Sequence, residues 1–263
     1  MKKIVVLSLA TALMLNAADD IEKNEFKTHT ELSYVETQGN TNTAAFSLDF
    51  MGKKTWDKHS VKLDFDALYG TDADVETKNK IITEFNYDYQ FANHFAINYL
   101  IGYKNDKFSG FEYQFYTGLG IKYIVLDSQT HKLNFQGNIL YNMDETMDEY
   151  FDANGDEIEY PYADGTAGST VVKGISEDYY GYSLKADYAW QIMENLNFIQ
   201  ELSYRNGFDD HDNYFAFSKT GIAAKISDMF SMGVSYKIDY TNLPPADKEY
   251  SDRTFMTSLI IDY

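Results

Sequence analysis

Cysteine is missing from all 263 residues, which removes disulfide scaffolds, thiolate zinc sites and cysteine nucleophiles together. Basic side chains are scarce: 22 Lys and Arg stand against 41 Asp and Glu, a formal charge of −19. A surface that neutralises phosphates is therefore not expected, and nucleic acid is set aside as a partner. Long apolar runs are also missing. The stretch Ile4 to Leu15 is only about a dozen residues, short of the ~20 that a membrane-spanning helix needs. Aromatics, by contrast, are plentiful, with 23 Tyr and 18 Phe bringing them to 16%. A mean hydropathy of −0.43 alone reads as soluble, but acidic disordered chains lack such aromatics, so this chain folds. Tyr, Phe and Thr fit pleated surfaces, and the length suits one large all-β domain or two small ones.

Met1-Lys2-Lys3 is a short basic region, Ile4 to Leu15 is apolar, and Asn16-Ala17-Ala18 is a small-residue cleavage region before Asp19-Asp20. That order predicts a secretory signal peptide over residues 1–18, cleaved after Ala17 or Ala18. An N-terminal core helix is the competing reading, but nothing caps it and a polar turn follows at once. Loss of Lys2 and Lys3 leaves 20 basic residues against 41 acidic ones, near −21. Residues 19–27 then read as a short periplasmic segment and 28–263 as the folded domain.

Past Glu22 the period becomes two. Val61, Leu63, Phe65, Ala67 and Tyr69 alternate with Lys62, Asp64, Asp66 and Leu68. Phe95, Ile97, Tyr99, Ile101 and Tyr103 likewise oppose Ala96, Asn98, Leu100, Gly102 and Lys104, and Phe230 to Tyr240 repeats the pattern. About twelve such segments of roughly ten residues are expected, the length of a tilted transmembrane strand.

Alternation alone does not separate a soluble sandwich, whose apolar face is its core, from a membrane barrel, whose apolar face meets lipid. Three features favour the barrel. Aromatics end many apolar faces, as Tyr69, Phe91, Tyr103, Phe111, Tyr123 and Tyr240 do. Connections alternate between tight ones, such as Ala92-Asn93-His94 and Ser227-Asp228, and longer ones, such as Gly70 to Lys80, Met143 to Asp178 and Thr241 to Arg253. The final strand shows Phe255, Thr257, Leu259, Ile261 and Tyr263 on one face, with Phe255, Leu259, Ile261 and Tyr263 expected to act as a signal for the outer-membrane assembly machinery. The expected fold is an all-β, antiparallel transmembrane β-barrel of about 12 strands, both termini periplasmic, in contact with outer-membrane lipids.

Several stretches resemble a known family. Gln38-Gly39-Asn40-Thr41-Asn42-Thr43, Tyr103 to Gly110 with Phe111-Glu112-Tyr113-Gln114, and Gly118-Leu119-Gly120-Ile121-Lys122-Tyr123 look like the YdiY-like barrels described as salt-induced outer-membrane proteins. Asp187-Tyr188-Ala189-Trp190-Gln191, Phe198 to Leu202, and Tyr236 with Asp239-Tyr240 before Pro244-Pro245 extend the likeness over nearly the whole chain after the signal peptide. The resemblance implies an outer-membrane barrel and a link to salt or osmotic stress. It lends no catalytic residues, because the family's domain is one of unknown function. The acidic insertion between Met143 and Gly174 is longer than the family pattern.

The inward face is expected to carry Glu31, Asp49, Asp64, Asp66, Glu84, Asp88, Glu112, Asp187, Glu201 and Asp239 against Lys62, Lys104, Lys122, Lys185, Arg205 and Lys237, with Lys53 and Lys225 beside them. Such nearly balanced charge either pairs across strands and braces the wall or lines a narrow porin-like channel for small ions or solutes. The strand from Tyr214 to Ile226 is ambiguous: Phe215 and Phe217 are out of phase with Ile222, Ala224 and Ile226, which implies a bulge or aromatics inside.

The outer loop, about residues 144–173, is acidic. Asp152, Asn154 and Asp156 occupy the first three ligand positions of a calcium loop, but Glu157 and Ala163 break the motif, so a solvated acidic loop is expected and no metal or cofactor is assigned. One enzymatic alternative is an omptin-like protease, with Asp72-Ala73-Asp74 and Asp209-Asp210-His211 holding a water at the outer rim. A lipid-facing Ser and His pair, as an outer-membrane phospholipase would need, is not visible. The expectation is a non-enzymatic barrel, either a narrow channel or a passive envelope component with a plugged lumen.

Overall fold

The computed structural model describes residues 24–37, 43–156, 158, 170–244 and 249–263. The expected signal peptide, the Gln38–Asn42 stretch, Glu157, Ala163 and Pro245 lie outside the described residues. The strands are β1 (Asn24–Thr37), β2 (Thr43–Trp56), β3 (His59–Asp72), β4 (Val75–Ala92), β5 (Phe95–Asp106), β6 (Phe111–Asp127), β7 (His131–Thr146), β8 (Glu149–Phe151), β9 (Thr170–Val172), β10 (Ser176–Met193), β11 (Leu196–Gly207), β12 (Tyr214–Lys225), β13 (Phe230–Thr241) and β14 (Ser251–Asp262). Twelve of them close an antiparallel barrel in the order β1-β14-β13-β12-β11-β10-β7-β6-β5-β4-β3-β2, while β8 and β9 form a separate ribbon between β7 and β10.

The wall strands run 12 to 18 residues, longer than the alternating apolar segments, because they continue into polar sequence at both ends. β1 starts at Asn24, so part of the expected periplasmic segment is strand. Connections such as Asp57-Lys58 and Asn93-His94 sit at one end of the barrel (the turn end) and the longer ones at the other (the loop end). One expected long loop is absent. Between Gly70 and Lys80 the two strands extend to a two-residue turn, with Ala73 at φ 47° and Asp74 at φ 65°. Positive φ at both central residues is the turn that matches strand twist, and Asp tolerates it.

The apolar face of the alternation is outside. Leu119, Ile139 and Phe255 are each more than 60% exposed on the outer surface. Two aromatic belts bound that surface. At the turn end His59 stacks with Trp56, and His131 with Trp190, while their Nδ1 atoms meet Tyr87 and Tyr188 hydroxyls at 2.7 and 2.9 Å. At the loop end Tyr182, Tyr204, Tyr214, Tyr240 and Tyr250 follow one another at centroid spacings of 5.4–6.4 Å. Tyr182 and Trp190 on β10 mark the two belts, ~20 Å apart along the axis once strand tilt is allowed for. Membrane barrels show an apolar band of ~25 Å between such girdles.

The closing seam is the weakest. β1 and β14 are in register only from His29/Asp262 to Leu32/Leu259, extended at the turn end by mutual backbone bonds of Thr28 and Tyr263. Beyond Leu32 the Ser33 and Ser258 hydroxyls meet at 2.7 Å, and among the described residues no further backbone pair joins the strands. Unpaired backbone is where local opening is easiest, so seam-facing amides between Ser33 and Glu36 are expected to exchange about tenfold faster than those of Thr30 to Leu32. Hydrogen exchange of the membrane-embedded protein measures this; equal rates would show a seam closed along its whole length.

Candidate functional site

One wall of the lumen is built over glycines. In β5, β6 and β7 the register aligns Asn98, Gly120 and Asn138 in one inward row, and Leu100, Gly118 and Leu140 in the next. With no side chain on the middle strand, the flanking ones close over it: Asn138 Nδ2 donates to Asn98 Oδ1 at 2.7 Å. Asn98 Nδ2 donates in turn to Asp88 at 2.6 Å, and Gln136 Nε2 to Asn98 Oδ1 at 3.0 Å. One row further, a Cβ on Gly102 would lie 2.1 Å from the Tyr116 ring. That ring lies flat over β5 and donates its hydroxyl to Glu84 at 2.6 Å. Gly102→Ala would force the ring away, and a loss of about 1–3 kcal/mol is expected from such overpacking. Urea unfolding reads the loss, and an unchanged midpoint would mean that Tyr116 is free to move.

The opposite walls are joined by ion pairs. Lys219 on β12 reaches Glu31 on β1 at 2.7 Å and Asp49 on β2 at 2.9 Å. Lys237 on β13 holds Asp49 at 2.8 Å and also pairs with Asp66 on β3. Lys80 on β4 meets Asp239 on β13 at 2.5 Å, and Lys185 on β10 meets Glu84 on β4 at 3.1 Å. β4 and β13 are five places apart in the ring of twelve. A circular barrel of twelve tilted strands would be ~24 Å across, roughly twice what a Lys and an Asp can bridge end to end. The section is therefore flattened, with the β12–β13 wall drawn onto the β2–β4 wall.

Toward the loop end Arg205 narrows the lumen. Its guanidinium lies 4.7 Å from the Tyr116 ring centroid and 4.6 Å from that of Phe215, donates to Asn142 Oδ1 at 3.1 Å and stands 3.8 Å from Asp144. Asp144 also accepts from Tyr179 at 2.8 Å and from Gln114 at 3.3 Å.

Cavities remain between these side chains. A central one of about 240 Å³ lies among the pairs and reaches Arg205 and Lys104. It shares His29 with a second, of about 340 Å³, which opens past Gln129 and Thr130 at the turn end. A third, of about 310 Å³, shares Lys132 with the second and is lined by Lys27, Lys53, Lys58 and Lys122.

A family model described as a protein of unknown function, DUF481, matches residues 30–263. The chain belongs to the DUF481 family. No curated protein matches it. Solved structures to which this DUF481 barrel is similar include the translocator domain of the autotransporter NalP from Neisseria meningitidis, at 8% identity over 94% of this chain and 90% of that one, TM-score 0.47. An outer-membrane channel from Pseudomonas putida F1 is similar at 7% identity over 93% and 96%, TM-score 0.47. The NanC porin is similar at 11% identity over 90% and 97%, TM-score 0.45.

Of the inward charges expected from sequence, the DUF481 barrel places Glu31, Asp49, Asp66, Glu84, Lys185, Lys237 and Asp239 in the cross-lumen pairs. Lys122 pairs with Asp88 at 2.8 Å and Lys62 with Asp64 at 2.9 Å, while Lys104 and Glu201 line the central cavity. Asp187 shares the inward face with Lys185 on β10. Glu112 is different: a bulge between Phe111 and Tyr113 turns Phe111 inward against Phe215 and leaves Glu112 exposed. Two central cations escaped the sequence reading. Lys219 was hidden because Phe215 and Phe217 on its face look like lipid-facing residues, and β12 carries them inside without a bulge. Lys80 was hidden in a supposed loop. The phase of Phe217, Lys219, Gly221 and Ala223 is the signal that would have found the first.

The acidic pairs of the protease alternative are all exposed, in the β3–β4 turn and the β11–β12 loop, and no hydrogen bond or ion pair joins them among the described residues. Asp152 Oδ1 accepts from the Asn154 and Asp156 backbone N–H groups at 2.8 and 2.9 Å, which holds its carboxyl below the usual range. Among the described residues no three His, Asp or Glu gather as metal ligands.

Proposed function

We propose that the barrel lies in the outer membrane of a Gram-negative envelope, turn end toward the periplasm, and acts as a narrow channel for small ions and solutes. The observation that carries this reading is the run of cavities that meet at Lys132 and His29, carry charged side chains along their walls and are narrowed at mid-height by side chains such as Lys219, Lys237 and Lys80. Side chains in a wet lumen exchange partners quickly, so such a constriction passes small ions while holding back larger solutes. The outward row Phe255, Leu259, Ile261 and Tyr263 is the proposed assembly signal, and conduction of small ions would suit a role under salt or osmotic stress. A purely structural barrel is the second reading, favoured by the flattened section and the amide rows over Gly120.

Planar-bilayer recording of refolded protein in molar KCl separates the two. Small discrete steps are expected. A silent bilayer across salts and voltages would leave the structural barrel.

A further inference from the structure

We propose that the channel is an ionic rectifier, conducting better when the loop side is positive, because its two mouths carry fixed charge of opposite sign. The proposal rests on the channel reading above. At the loop end, residues 71–78, 106–112, 144–156, 173–178, 208–213 and 249–253 hold 18 carboxylates against 4 Lys and Arg, so the sign there is strongly negative. At the turn end the sign reverses in the third cavity, which Lys27, Lys53, Lys58, Lys122 and Lys132 line with three carboxylates, one of which, Asp88, is held by Lys122. In the second cavity Lys132 stands with His29, Glu31 and Asp262, Glu31 being held by Lys219 and Asp262 by His29. Lys53 and Lys132 make no ion pair among the described residues. Between the mouths, the cross-lumen belt is made of matched pairs and is close to neutral.

A negative mouth concentrates cations and a positive one concentrates anions. With the loop side positive, cations enter through the carboxylates and anions through the lysines, so each species enters by the mouth that enriches it and both fill the neutral belt. With the loop side negative, each must enter by the mouth that repels it, and the belt is depleted. The asymmetry is electrostatic, so it fades once the screening length, ~10 Å at 0.1 M salt, shrinks to ~3 Å at 1 M.

The test is the current–voltage curve of oriented channels in decimolar and in molar KCl. The chain has no cysteine, so Asn154→Cys with a thiol-reactive polyethylene glycol added to one side reports which way the channel faces. Loop-positive current is expected to exceed loop-negative current about twofold or more at low salt, and the ratio is expected to approach one at high salt. In a Lys53→Gln, Lys132→Gln double variant the ratio is expected to fall while conduction persists. Equal currents at low salt, or a reversed ratio, would overturn the rectifier alone. An unchanged ratio in the double variant would remove the lysines from it, and no current at any polarity would overturn the channel reading and the rectifier together.

Discussion

Asp49→Ala is expected to enlarge the single-channel current step several-fold. Asp49 is the hub of the belt, accepting from Lys219 at 2.9 Å and from Lys237 at 2.8 Å, and so tying β2 to β12 and β13 at once. Its removal leaves two ammonium groups side by side in the lumen, where the carboxylate they shared no longer balances their repulsion. Lys219 keeps Glu31 and Lys237 keeps Asp66, so both swing toward the wall that still holds a carboxylate. The walls stay bridged by these pairs and by Lys80–Asp239, so conductance rises with the space that the Asp49 carboxylate vacates. Because each lysine keeps one carboxylate, the stability loss is expected to stay below the ~3–5 kcal/mol of a fully unpaired buried charge, and a modestly lower urea midpoint should accompany the larger step. Asp49→Asn, which keeps the volume and some hydrogen bonding, is expected to fall between. Single-channel recording of the three proteins side by side checks this order; equal steps in all three would mean that the belt does not limit conduction.

Arg205→Ala is expected to have the largest effect on stability. The guanidinium is sandwiched between Tyr116 and Phe215, donates to Asn142 and faces Asp144. Asp144 Oδ1 is buried and has no hydrogen-bond donor of its own, so the nearby positive charge is its main compensation. Alanine removes that compensation, leaves Asn142 Oδ1 bare and empties the space between two rings, and a loss of about 3–5 kcal/mol is expected. Lysine should not restore it, because only a planar cation stacks on two aromatic faces while directing N–H groups sideways. Urea unfolding in vesicles reads the loss. A native midpoint for either variant would show that the clamp contributes nothing to holding the loop end of the lumen.

Much of the barrel was legible because strands such as Phe95–Asp106 and Phe230–Thr241 keep one face apolar without interruption, and burial then follows parity residue by residue. Where both faces were mixed, legibility failed. β4 from Val75 to Lys80 is largely polar on both sides, so it read as a loop, and β12 carries Phe215 and Phe217 inside, Phe215 against the Arg205 guanidinium. The bulge at Phe111 shifts parity by one, which no alternation pattern reveals in advance. The pairing itself was the least legible feature. Lys80 and Asp239 are 159 residues apart and meet only because the barrel flattens, so spacing in the chain carries no trace of it.

The most direct test of a lumen zipped by opposed walls is intramolecular cross-linking. In a chain free of cysteine, Lys80→Cys and Asp239→Cys place two thiols where the native ammonium and carboxylate meet, and a short bismaleimide should bridge them within one barrel in the membrane. Efficient bridging with loss of current is the expected result. Failure to bridge, with the current unchanged, would contradict a flattened lumen whose walls touch at this pair.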